Sequence, residues 1–206
     1  MFYKAILTIY FFLILSVNGQ ARVVTECSIT PEIWSVGNFV SKHNTNNLIA
    51  SNTSFATAKG QKIIISGVLY DNNCVPIVNA QINLLQANSF GEYQFPSEEV
   101  KHFDENFLGS GTCYTDNSGR FSFITIKPGK EKELQPNVIL TVSHNEFRTF
   151  QTRMFFPEFK NGESIASFKQ GVENADLLIS HNKTNDTIPE YHFPITLSES
   201  NYYREY

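Results

Sequence analysis

Few residues in this chain are of types that do chemistry, and they are scattered. The three cysteines, Cys27, Cys74 and Cys113, include no pair at C-x-x-C spacing, which argues against a thiolate metal site. His43 and His102 lie in polar segments, His181 lies in a polar stretch, and His192 faces outward on an alternating strand. His144 sits in the turn-like run Ser143-His144-Asn145-Glu146. Hard oxygen donors gather once, at Glu131 and Glu133 in the run KEKEL, with His144 not far beyond. Carboxylates of this kind suit a hard cation, but a short Lys-Glu run is ordinarily a solvated loop. Asn52, Asn182 and Asn185 each open an N-x-[ST] triplet, a glycan acceptor only in an exported eukaryotic chain.

The chain that must position these groups has 206 residues, 41% hydrophobic and 14% aromatic, with a net charge of -4 from 16 basic and 20 acidic side chains. That is length for one well-filled core. The composition is too apolar for disorder, and an acidic balance offers no footprint for nucleic acid. Lys4, the charge-free apolar run Ala5 to Val17, and the small residues Gly19 and Ala21 have the layout of a secretory signal over residues 1–21. The run is short for a membrane span. The expectation is therefore an exported protein, periplasmic or secreted, with no membrane segment once the signal is cleaved after Gly19 or Ala21. Three cysteines in an oxidising compartment permit one disulfide and leave one thiol, with the pairing open.

Residues 22–59 are polar and lack a period, reading as an extended arm over the domain surface. From 60 to 200 the pattern is that of short strands. Ile63, Ile64 and Ile65 lead through Ser66-Gly67 into Val68, Leu69 and Tyr70, and the glycine signals a bulge or a close approach. Ala80, Ile82 and Leu84 alternate with Gln81 and Asn83, and Asp116-Asn117-Ser118-Gly119 announces a hairpin into Phe121 and Phe123. Val138, Leu140 and Val142 form another inward set, Phe150 to Phe156 a further apolar stretch, and Tyr191, Phe193, Ile195 and Leu197 alternate near the end. Nothing keeps a helical period, so the fold class is all-β, a sandwich or barrel. Residues 158–186 read as a polar insertion or long loop, and 201–206 as a tail.

Four segments in fixed order resemble the intradiol ring-cleavage dioxygenases, the family that opens catechol and protocatechuate. TPEIWSVGNF (30–39) is similar to the family's T-P-x-x-x-x-G-P-[FY], with Asn38 where proline is usual. GVLYDNNCVPIVNAQINLLQANSFGEY (67–93) resembles the block ending W-Q-A-N-x-x-G-x-Y, with Leu85 at the tryptophan position. DENFLGSGTCYTDNSGRFSFITIKPG (104–129) follows the family's D-P-N-F to K-P-G block, and TRMFFP (152–157) its T-Q-x-Y-F-P strand. The resemblance implies a β-sandwich around one non-haem Fe(III), held by two tyrosinates and two histidines, that binds a catecholate for attack by O2. It also implies a precedent for partners, because protocatechuate dioxygenases pair an iron-bearing subunit with a related subunit lacking the ligands. A related catalytic subunit or a second copy of this chain is the partner it suggests.

Carried over residue by residue, that site is largely missing. Tyr93 matches the first tyrosine ligand. Glu131 stands where P-G-x-Y would place the second. The family's R-P-x-H-x-H falls on LQPNVILTV (134–142). Aligned on Pro136, it puts Gln135 at the arginine and Val138 and Leu140 at the histidines. Aligned on spacing from Gly129, the histidines become Asn137 and Ile139. On either alignment three of the four iron ligands are absent, so the resemblance predicts iron that is absent or weakly held, no catalytic residues, and Tyr93 as the one surviving metal ligand. Without partners, Tyr93 reads as a half-buried aromatic, and Val138 and Leu140 as apolar wall closing the old cavity. The resulting expectation is a noncatalytic binding or subunit-like module, against an active dioxygenase with a nonstandard ligand set.

Overall fold

The computed structural model describes residues 27–49, 56–95, 100–132, 134–159, 171–183 and 187–198. The signal at 1–21, the tail at 201–206, Glu133 and the glycan acceptors Asn52 and Asn185 lie outside the described residues. Nine strands follow in order: β1 (Lys62–Tyr70), β2 (Gln81–Leu85), β3 (Ser110–Tyr114), β4 (Arg120–Ile126), β5 (Asn137–His144), β6 (Phe147–Phe155), β7 (His181–Lys183), β8 (Glu190–His192) and β9 (Ile195–Thr196). One sheet runs β4-β1-β8-β7, with β9 continuing alongside β1, and the other runs β3-β2-β5-β6. The only helical elements among the described residues are two 3-10 turns, Pro157–Phe159 and Ala175–Leu178. The all-β sandwich read from the alternation is the observed architecture.

The period of two decides which side chains meet between the sheets. Ile63, Ile65 and Leu69 of β1 and Phe121 and Phe123 of β4 point into the core, where they meet Ile82, Leu84, Val138, Leu140, Val142, Phe150 and Met154 of the other sheet. Each such side chain contributes about 1.5–3 kcal/mol on burial. Gly67 makes no bulge, since β1 pairs with β4 in unbroken register from Lys62↔Ile126 to Val68↔Arg120. It is a close approach: a Cβ there would lie 2.2 Å from the Phe193 carbonyl oxygen and 2.4 Å from the Phe121 ring. The Lys127 ammonium at the end of β4 meets the Glu158 carboxylate. Tyr191 donates to the same carboxylate at 2.9 Å, tying the ends of β4, β6 and β8 together.

Two strands had no hydrophobic signature. β3, Ser-Gly-Thr-Cys-Tyr, is held by its pairing with β2 and by the arm, and a Cβ on Gly111 would lie 2.4 Å from the Thr45 carbonyl oxygen. β7 is an exposed edge strand added to β8 by backbone hydrogen bonds. The stretch 158–186 is thus not wholly loop: it supplies β7 and the turn whose Leu178 packs on Phe155.

The arm uses its backbone on the domain rather than on itself. Leu48 N–H donates to the Ile124 carbonyl at 2.9 Å, Thr45 accepts from Thr112 N–H at 2.9 Å, and Ile33 N–H donates to the Gln151 carbonyl at 2.7 Å. Its start is bonded covalently: Cys27 pairs with Cys74 in the β1–β2 connection, Cα to Cα 5.3 Å. Cys113 is the remaining thiol, half-buried, and burial pushes it up to about 12, so it stays protonated and a poor nucleophile. The disulfide closes a loop spanning 47 residues, for which the loss of unfolded-state entropy predicts about 2–4 kcal/mol. The Cys27→Ser/Cys74→Ser double variant should lose that much in urea denaturation, with an m-value that rises as the released unfolded chain exposes more surface.

Candidate functional site: a cluster around a buried guanidinium

Polar residues of the Q-A-N block build the site's frame. Gln86 is fully buried; its amide donates to the Ile126 carbonyl at 2.9 Å and its oxygen accepts from Thr125 at 2.9 Å. The Asn88 side chain accepts from the N–H groups of Phe90 (2.9 Å) and Glu92 (3.1 Å) and donates to the His102 carbonyl at 2.9 Å. Its carbonyl accepts from Gly91 N–H at 3.0 Å and from Gly129 N–H at 2.9 Å. Gly91 has φ +81°, and a Cβ there would sit 1.9 Å from the Lys130 carbonyl oxygen. A larger residue would force the two loops apart. This contact brings the loop bearing Tyr93 against the loop bearing Glu131.

Between them lies Arg153 of β6, only 7% exposed. The Tyr93 hydroxyl and the Glu131 carboxylate lie beside it, close enough for each to act on its charge. One guanidinium nitrogen donates to Asn137 Oδ1 at 2.5 Å, and Nε donates to Ser35 Oγ of the arm at 3.2 Å. Burial, reinforced by the Glu131 charge, pushes the Tyr93 phenol up to about 12 against the opposing pull of Arg153. Burial also lowers Arg153, opposed by Tyr93 and Glu131, but a guanidinium starts so high that it remains a cation at any biological pH. The arm closes this face further: Gln151 Oε1 accepts from the N–H groups of Ser35 (2.7 Å) and Val36 (3.1 Å). A cavity of about 120 Å³ persists under the arm, bounded by Phe39, Leu85, Phe95 and Leu108.

Several expectations change. Tyr93 is half-buried, stacked on Phe95 and set beside Arg153 and Glu131. Glu131 is half-buried beside Tyr93 and Arg153 rather than standing in a solvated loop. Val138 and Leu140 belong to the core between the sheets, so they are not the wall of the site. The cluster face of β5 carries Asn137 and Ile139, the latter directly across from Arg153, so the spacing from Gly129 is the frame that matches the structure. Arg153, Asn137 and Ser35 had not been singled out together; the one visible signal was an arginine where the family strand has glutamine.

The histidines are engaged elsewhere. His102 pairs with Glu92 at 2.9 Å and stacks on Phe90, and His144 accepts from Glu146 N–H at the far end of β5. Among the described residues no group of three His, Cys, Asp or Glu side chains could hold a metal ion. The residues present do not fit ferric iron. One phenol and one carboxylate remain, imidazole is replaced by Asn137 and Ile139, and a fixed cation stands among the donors. At 4 Å that cation repels each unit of metal charge by about 4 kcal/mol in a partly screened site.

A profile of the family described as Dioxygenase matches residues 36–198. A Rickettsia bellii protein provisionally named a dioxygenase is 31% identical over 145 residues, covering 66% of this chain and 70% of that one. The protocatechuate 3,4-dioxygenase beta chain of Burkholderia cepacia is 39% identical over 71 residues, 34% of this chain and 30% of that one. In fold, the chain is similar to the intradiol ring-cleavage dioxygenase of Tetranychus urticae, with TM-score 0.66 and 18% identity over 86% of this chain and 98% of that one.

The cluster predicts its own energetics. Arg153→Met leaves Asn137 and Ser35 without their shared donor and the Glu131 carboxylate without its countercharge, and should cost about 2–4 kcal/mol. Tyr93→Phe should cost about 1–2 kcal/mol. Both are read by urea denaturation, and an Arg153→Met variant as stable as the parent contradicts a guanidinium-centred cluster. Because the folded phenol is raised to about 12, its contribution is complete below about pH 10 and is lost as pH rises from there toward the folded value. The stability difference between parent and Tyr93→Phe should therefore be flat through neutral pH and shrink above pH 10.

Proposed function

The chain belongs to the intradiol ring-cleavage dioxygenase family, and from that membership we propose that it is a noncatalytic member, exported, and acting as a binding or subunit-like module. The observation that supports this reading best is the Arg153 guanidinium, held by Asn137 and Ser35 and flanked by Tyr93 and Glu131. Tyr93 and Asn137 stand where the resemblance places two iron ligands, and Glu131 stands where it places a third. In this chain those side chains surround an internal cation instead. Ile139, at the other histidine position, has no donor atom.

Export is supported by the signal-like layout of residues 1–21 and by the Cys27–Cys74 bond, which persists in oxidising compartments. The subunit-like role is supported by the family precedent and by likeness to a chain named as one subunit of protocatechuate dioxygenase. The partner is then a related catalytic subunit or a second copy of this chain.

Metal analysis after incubation with ferrous and ferric salts, together with oxygen uptake on catechol and protocatechuate, tests the proposal. The expected result is iron far below one per chain, no visible tyrosinate-to-iron absorption and no uptake above the blank. Near-stoichiometric iron with a visible band that Tyr93→Phe abolishes would establish the other reading, an active dioxygenase using Tyr93 and Glu131 in a nonstandard ligand set.

A further inference from the structure

The outer face of the first sheet lies across the sandwich from the Arg153 cluster and carries a trough of about 650 Å³. It crosses β7, β8, β1 and β4 and ends at Tyr114 of β3. Four strands at their usual spacing make the crossing about 14 Å long.

Its floor has an unusual composition. Ser66, His192 and Glu190 bring together the residue types of a hydrolytic triad, but the hydrogen bonds run the wrong way. The Ser66 hydroxyl donates to Glu190, and the His192 Nδ1 lies 3.2 Å from Ser66 Oγ. With the only Ser66 proton directed at the carboxylate, His192 must donate through Nδ1 and cannot act as base toward Ser66. No nucleophile is activated, and the row is one of recognition.

The charges on the floor are matched locally. Lys183 bonds Glu190 at 3.0 Å. His192 is held below its ordinary value by burial and then by Lys183, so it is neutral at pH 7 with Nε2 left as an acceptor. At the other end, Asp116 accepts from the N–H groups of Ser118 and Arg120, both at 2.8 Å, beside the Arg120 side chain. Neither an anion nor a cation finds an uncompensated field. The trough offers acceptors at Ser66, Glu190 and His192, donors at Lys183 and Arg120, and one flat apolar surface, the ring of Tyr114, which is 53% exposed.

We propose that this trough binds a short neutral oligosaccharide. The Tyr114 ring stacks on the C–H face of one sugar, and Ser66, Glu190 and His192 meet the hydroxyls of the next units. A tyrosine ring suits an amphipathic ligand with one apolar face, and neutral hydroxyls can donate to the acceptors of the row and accept from Lys183 and Arg120 at its ends. This inference goes beyond the proposed function and does not depend on the state of the iron site.

Isothermal titration of the intact protein with cellohexaose, xylohexaose, chitohexaose and mannohexaose, with a heparin hexasaccharide as anionic control, tests it. One neutral hexaose should saturate a single site. Tyr114→Ala should weaken that binding about tenfold and His192→Ala several-fold, with unchanged circular dichroism showing that both fold, whereas Tyr93→Phe on the other face should bind as the parent does. Absence of binding by all four neutral hexaoses at millimolar concentration overturns the proposal. So does preference for the heparin hexasaccharide, or an affinity unchanged in Tyr114→Ala.

Discussion

A buried guanidinium must have its N–H groups answered, and the closed face of this sandwich is organised around that demand. The residues around Arg153 come from separate segments: Ser35 from the arm, Tyr93 from the loop after β2, and Asn137 from β5. Glu131, from the loop after β4, lies beside Tyr93. The charge cannot be left unanswered in a partly dry site without a cost of several kcal/mol, so each segment is drawn to one position. In this family member a side-chain cation stands among residues that the resemblance assigns to an ion.

The likeness to the dioxygenases survives in two kinds of residue. One is the alternating apolar set that fills the space between the sheets. The other is the polar set that satisfies backbone groups at the strand ends. Gln86, Asn88, Gly91 and Gly129 lock the loops together, and Asp104 caps Lys59 N–H at 2.6 Å. These residues answer requirements of the backbone, which any chain with these loops must meet. The positions that the resemblance assigns to a metal carry Glu131, Asn137 and Ile139. Scaffold and chemistry are separable because they are satisfied by different atoms.

The two outer faces contrast in how their polar groups are treated. Beneath the arm, Gln151 and Asn83 accept from the arm's own N–H groups, and a cavity of about 120 Å³ is left. Across the sandwich, Ser66, Glu190 and His192 bond one another but keep lone pairs and a trough in front of them. The first arrangement spends its acceptors on the arm. The second keeps some in reserve, and that places recognition on the open face.

The alternation in β1, β2, β4 and β5 was legible from the chain because a period of two needs only neighbouring residues. The turn at Asp116–Gly119 was legible for the same local reason. β3 and β7 were not, since they form through pairing rather than through an apolar pattern of their own. The pairing of Cys27 with Cys74 also required the fold, because it depends on where the arm begins its path. Most consequential was a one-residue ambiguity. Val138 with Leu140 and Asn137 with Ile139 are equally good frames along the chain, and a slip of one residue exchanges the two faces of a strand. Only the packing of Val138 against the core and the bond from Arg153 to Asn137 select between them. Sequence alone thus determined the class of fold and the family likeness, whereas tertiary structure decided which side chains gather around Arg153, because a charge finds its partners through space.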